Sequence, residues 1–166
     1  MAAPTPIHDE LHRIATTAII WRKDADGYRY LVTKRSPSKK VWPGKWTVPG
    51  GGLEVADYID SVDAVYQNSE SPQWYDVVEK GLAREIAEEV GVAVRNLVPA
   101  GNVAFIRPDG VPVLVLRYYG EYAGGEVVLD EDATEHAWVT AEEAQDYDFI
   151  GGIEGEIMDV ERRLSA

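Results

Sequence analysis

Residues 81–92 read GLAREIAEEVGV, a short stretch with an unusual concentration of negative charge. It places Glu85, Glu88 and Glu89 within five positions of a predicted helix. These positions are i, i+3 and i+4, so the three carboxylates share one helical face. Like charges at this spacing repel, each pair costing roughly 0.2–0.5 kcal/mol. Either the face is simply solvated, or a cation neutralises it.

The surroundings of the three glutamates favour a cation. Solvated helical faces usually carry lysine one turn away from glutamate, whereas the next basic residue after Arg84 is Arg95. Oxygen ligands without histidine or cysteine suit Mg²⁺ or Mn²⁺ rather than zinc. The pattern therefore indicates a divalent metal site on the helix.

A glycine-rich stretch, WTVPGGGLE at residues 46–54, lies upstream of the helix. Three successive glycines adopt backbone conformations that other residues avoid and let a ligand approach the main chain. The stretch lacks both the Gly-Lys-Ser/Thr of a phosphate loop and the spacing of a dinucleotide-binding motif. Its significance comes from its position, since a strand, a glycine turn and an acidic helix follow one another.

The rest of the chain alternates between strand and helix patterns. Apolar and β-branched runs predict strands, Pro and Gly clusters predict the turns between them, and 3.6-residue periodicity predicts the helices. The predicted strands are 12–22, 28–35, 46–48, 100–107, 111–122 and 135–140, and the predicted helices are 74–90, one beginning at Thr140, and 152–164. This mixture predicts a single α/β domain over residues 1–166.

The composition excludes several classes of protein. The net charge of −13 argues against a nucleic-acid binder, which would carry a basic face. No apolar run approaches the roughly 20 residues needed to span a bilayer, so no membrane association is expected. The chain has no cysteine, which rules out disulfides and thiolate metal sites and makes a cytoplasmic location the default.

At this point the residues resemble those of the Nudix (MutT-like) hydrolases. That family carries the box G-x5-E-x7-R-E-U-x-E-E-x-G-U, in which U is aliphatic. REIAEEVGV at residues 84–92 matches the second half at every specified position, and PGGGLE matches the usual opening, with Gly51 as the first glycine.

The resemblance implies a three-layer α/β/α sandwich with a mixed β-sheet, and metal-dependent hydrolysis of a diphosphate. It implies that Glu85, Glu88 and Glu89 are metal ligands or the base that activates water, without deciding which glutamate is the base. It also implies that the Gly50 carbonyl adds a metal ligand and that Arg84 holds a glutamate by an ion pair.

The chain departs from the box in two ways. An insertion of 19 residues within 56–75 splits the box, and aspartate replaces its first glutamate. Counting back from Arg84 places that aspartate at Asp76, whereas counting forward from Gly51 gives Asp57. We assign the role to Asp76, with a plain helix cap as the alternative. The insertion is a candidate lid or homodimer contact, or a tolerated surface loop.

Further residues are candidates for the substrate and metal sites. Asp132 resembles an acid that many family members carry on a late loop, although an acidic surface turn is the alternative. Arg35 and Lys45 flank the glycine turn and are candidate phosphate ligands. Trp46 is the main candidate for stacking on a nucleobase, with Trp42 and Tyr119 as further candidates. Plain packing is the alternative for the two tryptophans.

The predicted function is hydrolysis of a pyrophosphate bond in a nucleoside diphosphate linked to another moiety. The substrate is a small molecule, either a nucleotide sugar such as ADP-ribose or a nucleoside triphosphate, and the cofactor is Mg²⁺ or Mn²⁺. One alternative is a non-catalytic Nudix-fold module that binds a nucleotide. Another is an acidic domain that calcium stabilises and that has no chemistry.

Overall fold

A mixed β-sheet forms the middle layer of the computed structural model, which describes residues 11–59 and 72–166. The strands are β1 (Arg13–Asp24), β2 (Gly27–Arg35), β3 (Trp46–Thr47), β4 (Ala93–Ile106), β5 (Pro112–Gly124) and β6 (Ala133–Val139). The α-helices are α1 (Val77–Val90) and α2 (Ile153–Ser165), and short 3₁₀ helices occupy Val55–Asp57 and Glu143–Asp146.

Strand β1 is the centre of the sheet. The strand order is β3-β2-β1-β5-β4, and β6 pairs with β2 outside this path. β1 and β5 are parallel, while the other pairs are antiparallel. β1 pairs with β2 only from Trp21 to Asp24, near the hairpin. The remaining length of that edge of β1 is therefore free to pair with another segment.

One helix packs on each face of the sheet. Ile20 faces α1 and joins a cluster with Leu82 and Ile86, whereas Ile19 faces α2 and joins a cluster with Ile157. Neighbouring residues of a strand point to opposite faces, so β1 contributes to both cores. Its apolar run ATTAII is suited to burial on both sides. The predicted three-layer α/β/α sandwich is confirmed.

The boundaries of two elements differ from those predicted. Helix α1 begins at Val77 rather than near residue 74, because Asp76 has a left-handed backbone with φ of 57°. Strand β4 begins at Ala93, seven residues before the predicted start. Its first half is largely exposed and includes Pro99, so it does not show the alternating apolar pattern of a half-buried strand.

The segment after β6 forms a 3₁₀ turn instead of the helix predicted there, although its start has the expected chemistry. The Thr140 N–H donates to the Glu143 carboxylate at 2.8 Å, and the Glu143 N–H donates to Thr140 Oγ1 at 3.0 Å. These reciprocal bonds are a capping box. Within 11–59 and 72–166, no helix is both long enough and apolar enough to cross a membrane.

Candidate active site

The glycine turn lies along the free edge of β1. The Ala18 N–H donates to the Pro49 carbonyl at 2.9 Å, and the Thr16 N–H donates to the Gly51 carbonyl at 2.8 Å. The Leu53 N–H donates in return to the Ile14 carbonyl at 3.0 Å. The turn is therefore held by the backbone of the central strand, on the edge from which β2 diverges.

Two glycines of the turn contact two glutamates of α1, Gly51 by leaving space for Glu85 and Gly50 through its N–H. A side chain at Gly50 would lie 2.1 Å from the Thr16 carbonyl oxygen, and a side chain at Gly51 would lie 2.2–2.4 Å from the Glu85 carboxyl group. The Gly50 N–H donates to Glu89 Oε2 at 2.9 Å. The turn and the acidic helix thus form one unit.

The environment of these two glutamates disfavours their charge. Burial raises the pKa of Glu89 to about 7, and the neighbouring carboxylates of Glu85, Asp130 and Asp132 add to this, while the Gly50 hydrogen bond opposes it. Burial also raises the pKa of Glu85, against the effect of Arg84. Several carboxylates thus face one another where water is partly excluded, so a bound cation would relieve their repulsion.

Arg84 is the basic residue that holds this acidic face together. Its guanidinium donates to Glu85 at 2.9 Å and to Glu88 at 2.6 Å, and it pairs with Asp57. The ion pair predicted from the resemblance is therefore present. The Asp57 side chain is only 2% exposed, and the hydrogen bond from Arg84 lowers its pKa.

The structure corrects the choice between the two aspartates of the split box. Asp57, not Asp76, lies against Arg84. Asp76 precedes α1, is exposed, and makes no capping hydrogen bond through its side chain. Counting forward from Gly51 leads to the residue that contacts Arg84, because Asp57 belongs to the same chain segment as the glycine turn. Most of the insertion, residues 60–71, lies outside the described residues.

The predicted metal ligands lie close together, but their side chains do not converge on one point. In the described part of the chain, no three acidic or histidine side chains are placed to hold a metal ion. Glu88 is turned toward Arg84, and its side chain is 58% exposed. Glu85 and Glu89 lie against the glycine turn. Their donor atoms are all oxygens, which fits a hard divalent cation.

Asp132 lies near this unit, on the loop before β6. Its charge acts on both Glu89 and Arg35. Its carboxylate pairs with Lys39 at 2.5 Å, and its carbonyl accepts from the Ser36 N–H at 2.8 Å. These contacts bring the loop after β2 and the loop before β6 together beside the acidic helix.

The three predicted substrate ligands lie in different surroundings. Arg35 is partly buried, and burial lowers its pKa while the charge of Glu89 raises it. Lys45 pairs with Asp148. Trp46 packs edge-to-face on Tyr147 with ring centroids 4.8 Å apart. The geometry brings Arg35 to the acidic helix and gives Lys45 and Trp46 partners on the α2 side.

Arg107 is a residue that the sequence did not indicate. It follows β4, pairs with Asp109, and lies close enough to Arg35 to lower the pKa of Arg35. Arg107 is 72 positions from Arg35 in the chain, and the two are connected through the sheet by the pairings of β4 with β5, β5 with β1, and β1 with β2. No local pattern could have revealed this.

Comparison with known proteins agrees with this geometry. A family model described as NUDIX domain matches residues 11–157. The nucleoside triphosphatase NudI of Klebsiella pneumoniae (strain 342) is 28% identical over 129 residues, covering 72% of this chain and 78% of the relative.

Solved structures share the fold. The MutT protein from Methanosarcina mazei Go1 superposes with a TM-score of 0.68 at 22% identity, covering 99% of this chain and 100% of that one. The NUDIX domain of Shewanella oneidensis NrtR, complexed with ADP ribose, gives a TM-score of 0.71 at 14% identity, covering 94% of this chain and 90% of that one. At these identities the likeness shows the fold alone.

Proposed function

The chain belongs to the Nudix family of hydrolases, and on that premise we propose that it cleaves the diphosphate of a nucleoside diphosphate linked to another group. The observation that carries the proposal is the unit formed by the glycine turn and the acidic helix. In it, Glu85 lies against Gly51 and Glu89 accepts a hydrogen bond from Gly50. Arg84 holds the Glu85 carboxylate by a hydrogen bond.

Nudix hydrolases need a divalent metal ion, and we propose Mg²⁺ or Mn²⁺ for this chain. Glu85, Glu88, Glu89 and the Gly50 carbonyl would hold it. When bound, the ion supplies positive charge that neutralises the diphosphate and lowers the pKa of water. The oxygen-only donors, and the repulsion between the carboxylates around Glu89, support this assignment.

The side chains of this chain have distinct roles in the proposed reaction. Water adds to one phosphorus, the bond between that phosphorus and the bridging oxygen breaks, and a glutamate of the acidic face accepts the proton of the water. Arg84 positions Glu85 and Glu88 through its hydrogen bonds. Arg35, with Lys45 as a further candidate, binds phosphate oxygens, and Asp132 adds negative charge next to Glu89.

A substrate panel tests the proposal. Dinucleotides, nucleotide sugars such as ADP-ribose, and nucleoside triphosphates are incubated with Mg²⁺ or Mn²⁺, and the release of a monophosphate is measured. The name of the Klebsiella relative makes nucleoside triphosphates one arm of the panel, and ADP-ribose is the other main arm.

Two variants make the result specific. Glu88→Gln removes a carboxylate of the acidic face, and we expect its rate to fall by at least about a hundredfold. Glu142→Gln, at an exposed glutamate outside the acidic helix, is the matched control and should retain the rate. A silent panel, or an unchanged rate in Glu88→Gln, contradicts the proposal. Tight nucleotide binding without turnover identifies the non-catalytic module instead.

A further inference from the structure

Trp42, in the loop between β2 and β3, has an unfavourable backbone conformation. Its φ is 52°, in the left-handed region that bulky residues avoid. Among the residues that the structure describes, the other non-glycine residues with positive φ are Asp76 and Asn96. Aspartate and asparagine tolerate this region, whereas tryptophan does not. Residues held in this way concentrate at binding sites.

The contacts that hold Trp42 come from the predicted phosphate ligand and from β4. The Arg35 guanidinium donates to the Val41 carbonyl through Nη2 at 3.1 Å and through Nε at 3.3 Å. The Gly44 N–H donates to the Arg35 carbonyl at 3.2 Å, which closes the loop. The ring of Phe105 packs edge-to-face on the indole, with centroids 5.7 Å apart and planes at 61°.

The sheet places this aromatic pair level with the glycine turn. Phe105 is aligned with Val113 of β5, and Val113 is aligned with Arg13 of β1. The guanidinium of Arg13 lies 2.3 Å from where a side chain at Gly52 would begin. Phe105, Val113 and Arg13 are thus aligned side by side on three adjacent strands, and Arg13 lies at the glycine turn that contacts the acidic helix.

Arg35 connects the aromatic pair to the acidic helix. Arg35 is close enough to Glu89 and to Arg107 for both charges to act on it. Val41, which accepts from Arg35, is the neighbour of Trp42 in the chain, and Arg107 follows Phe105 by two residues. A diphosphate bound at Arg35 would thus have a partly exposed indole beside it.

We propose that Trp42 stacks on the nucleobase of the substrate, that Phe105 positions the indole, and that Arg35 binds the phosphates beside it. The proposal rests on the proposed function, because it assigns the base and the phosphates of that substrate to different side chains of one site. Rings in an edge-to-face pair at 5.7 Å leave no space for a third ring between them. The base therefore stacks on a face of the indole, and Phe105 acts through Trp42.

Calorimetry with two ligands tests this assignment without any hydrolysis. AMP carries a base, whereas ribose 5-phosphate carries the same sugar phosphate without one. Stacking of a base on an aromatic side chain changes affinity by about tenfold or more. We expect Trp42→Leu to weaken AMP binding at least about tenfold and to leave ribose 5-phosphate within about twofold. Trp42→Phe, which keeps an aromatic ring, should be intermediate.

Two further variants separate the roles of the neighbouring residues. Arg35→Ala should weaken the binding of both ligands, because both carry the phosphate. Trp21→Leu is the matched control, since Trp21 also packs edge-to-face on another ring, that of Tyr28, at 5.6 Å. It lies eight residues along β1 from Arg13, or about 26 Å at roughly 3.3 Å per residue. It should change neither affinity.

Three results would overturn the assignment: wild-type protein that does not prefer AMP, Trp42→Leu that binds AMP normally, or Trp42→Leu that loses both ligands equally. Melting curves check that each variant is folded. If Trp42→Leu does not fold, the AMP affinity of Trp42→Phe tests the assignment instead. If the substrate panel is silent but AMP binding depends on Trp42, the hydrolysis proposal fails and this assignment stands. If hydrolysis occurs and Trp42→Leu binds AMP as tightly as the wild type, only the assignment of Trp42 fails.

Discussion

Arg84 is the residue on which the acidic face of α1 depends. It is one guanidinium with three carboxylate partners, and the hydrogen bond to Asp57 is the main cause that raises its pKa far above the usual value. Asp57 is nearly inaccessible to solvent, whereas Glu88 is mostly exposed. Surface ion pairs contribute little to stability. We therefore expect loss of the buried Asp57 pair to destabilise the fold more than loss of the Glu88 pair.

We expect Asp57→Asn to lower the free energy of unfolding by about 2 kcal/mol, the typical value for a hydrogen bond to a charged group. For a chain of this length the melting temperature should fall by about 4–8 °C, and activity should fall because Arg84 loses the partner that fixes it beside Glu85. Asp76→Asn is the matched control. At that exposed position the change should stay within about 0.5 kcal/mol. Equal effects in the two variants would contradict the pairing.

The second prediction at this scale concerns the pH dependence of the metal-free protein. Burial raises the pKa of Glu89 from 4.5 to about 7. The cost of an ionised Glu89 is therefore absent below about pH 4.5 and complete above about pH 7. The free energy of unfolding therefore falls by on the order of 3 kcal/mol as the pH rises through this window, because the folded protein keeps Glu89 protonated at a pH where the unfolded chain does not.

Glu89→Gln removes this pH-dependent cost and keeps an acceptor for the Gly50 N–H. In a chelator, we expect the variant to melt several degrees above the wild type at pH 8 and close to it at pH 5. Glu88→Gln, at the exposed carboxylate of the same face, is the control and should shift the melting temperature equally at both pH values. A pH-independent gain in Glu89→Gln would show that Glu89 is not destabilised by its charge.

At the residue scale, the sequence indicates most of the residues that the structure brings together around the acidic helix, but not all of their positions. Glu85, Glu89 and Arg84 lie together because they share one helix, whose periodicity can be read directly. Counting back from Arg84 assumes an unbroken box and leads to Asp76, whereas the aspartate that contacts Arg84 is Asp57. An insertion makes one of the two counts wrong, and only the fold shows which end of the insertion carries the acid.

At the scale of elements, the contact between the glycine turn and α1 is the feature that sets the active geometry. Gly50 and Gly51 are neighbours but meet different obstacles. A side chain at Gly50 would strike the backbone of Thr16, whereas one at Gly51 would strike only the flexible end of Glu85. Gly50 also has a φ of 148°, which side chains rarely adopt.

We therefore expect the two alanine variants to fail in different ways. Gly50→Ala should lose more than about 1 kcal/mol of stability, because its backbone conformation is unfavourable for alanine. Gly51→Ala should melt close to the wild type but lose about tenfold to a hundredfold in kcat, because it displaces the Glu85 carboxylate by a distance that matters for catalysis. Thermal melting and steady-state kinetics on the same preparations separate the two effects. A stable and fully active Gly51→Ala would refute the contact with Glu85.

The hairpin of β1 and β2 could be predicted because it is local, with a turn between two apolar runs. The parallel pairing of β1 with β5 could not, since about ninety residues separate the two strands. The exposed start of β4 was missed for a different reason, because a strand with little burial lacks apolar alternation. The contact between Trp42 and Phe105 depends on these non-local pairings, so the sequence indicates Trp42 but not its partner.

At the scale of the whole molecule, charge is distributed unevenly around the site. The net charge is −13, and no lysine or arginine lies between Arg117 and Arg162. Glu89 and Asp132 bring part of this negative charge to the acidic helix. Arg84 and Lys39 are already paired with carboxylates there, whereas the Arg35 guanidinium donates to a backbone carbonyl. An anionic diphosphate would meet carboxylates unless a cation accompanied it. Metal and substrate binding should therefore support each other, and the metal alone should stabilise the fold.

The last prediction concerns that stabilisation. A ligand that binds only the folded protein, at a hundred times its Kd, stabilises it by about 2.7 kcal/mol, or about 5–10 °C in melting temperature for a chain of this length. We expect Mg²⁺ or Mn²⁺ to produce such a rise and Glu85→Gln to reduce it strongly, because a carboxylate is lost from the site. KCl at equal ionic strength controls for screening of the net charge. An equal rise in melting temperature with KCl would show that the stabilisation comes from screening of the net charge and not from a metal site. A rise with Ca²⁺ but with neither Mg²⁺ nor Mn²⁺, together with no hydrolysis, would instead identify a calcium-stabilised domain without chemistry.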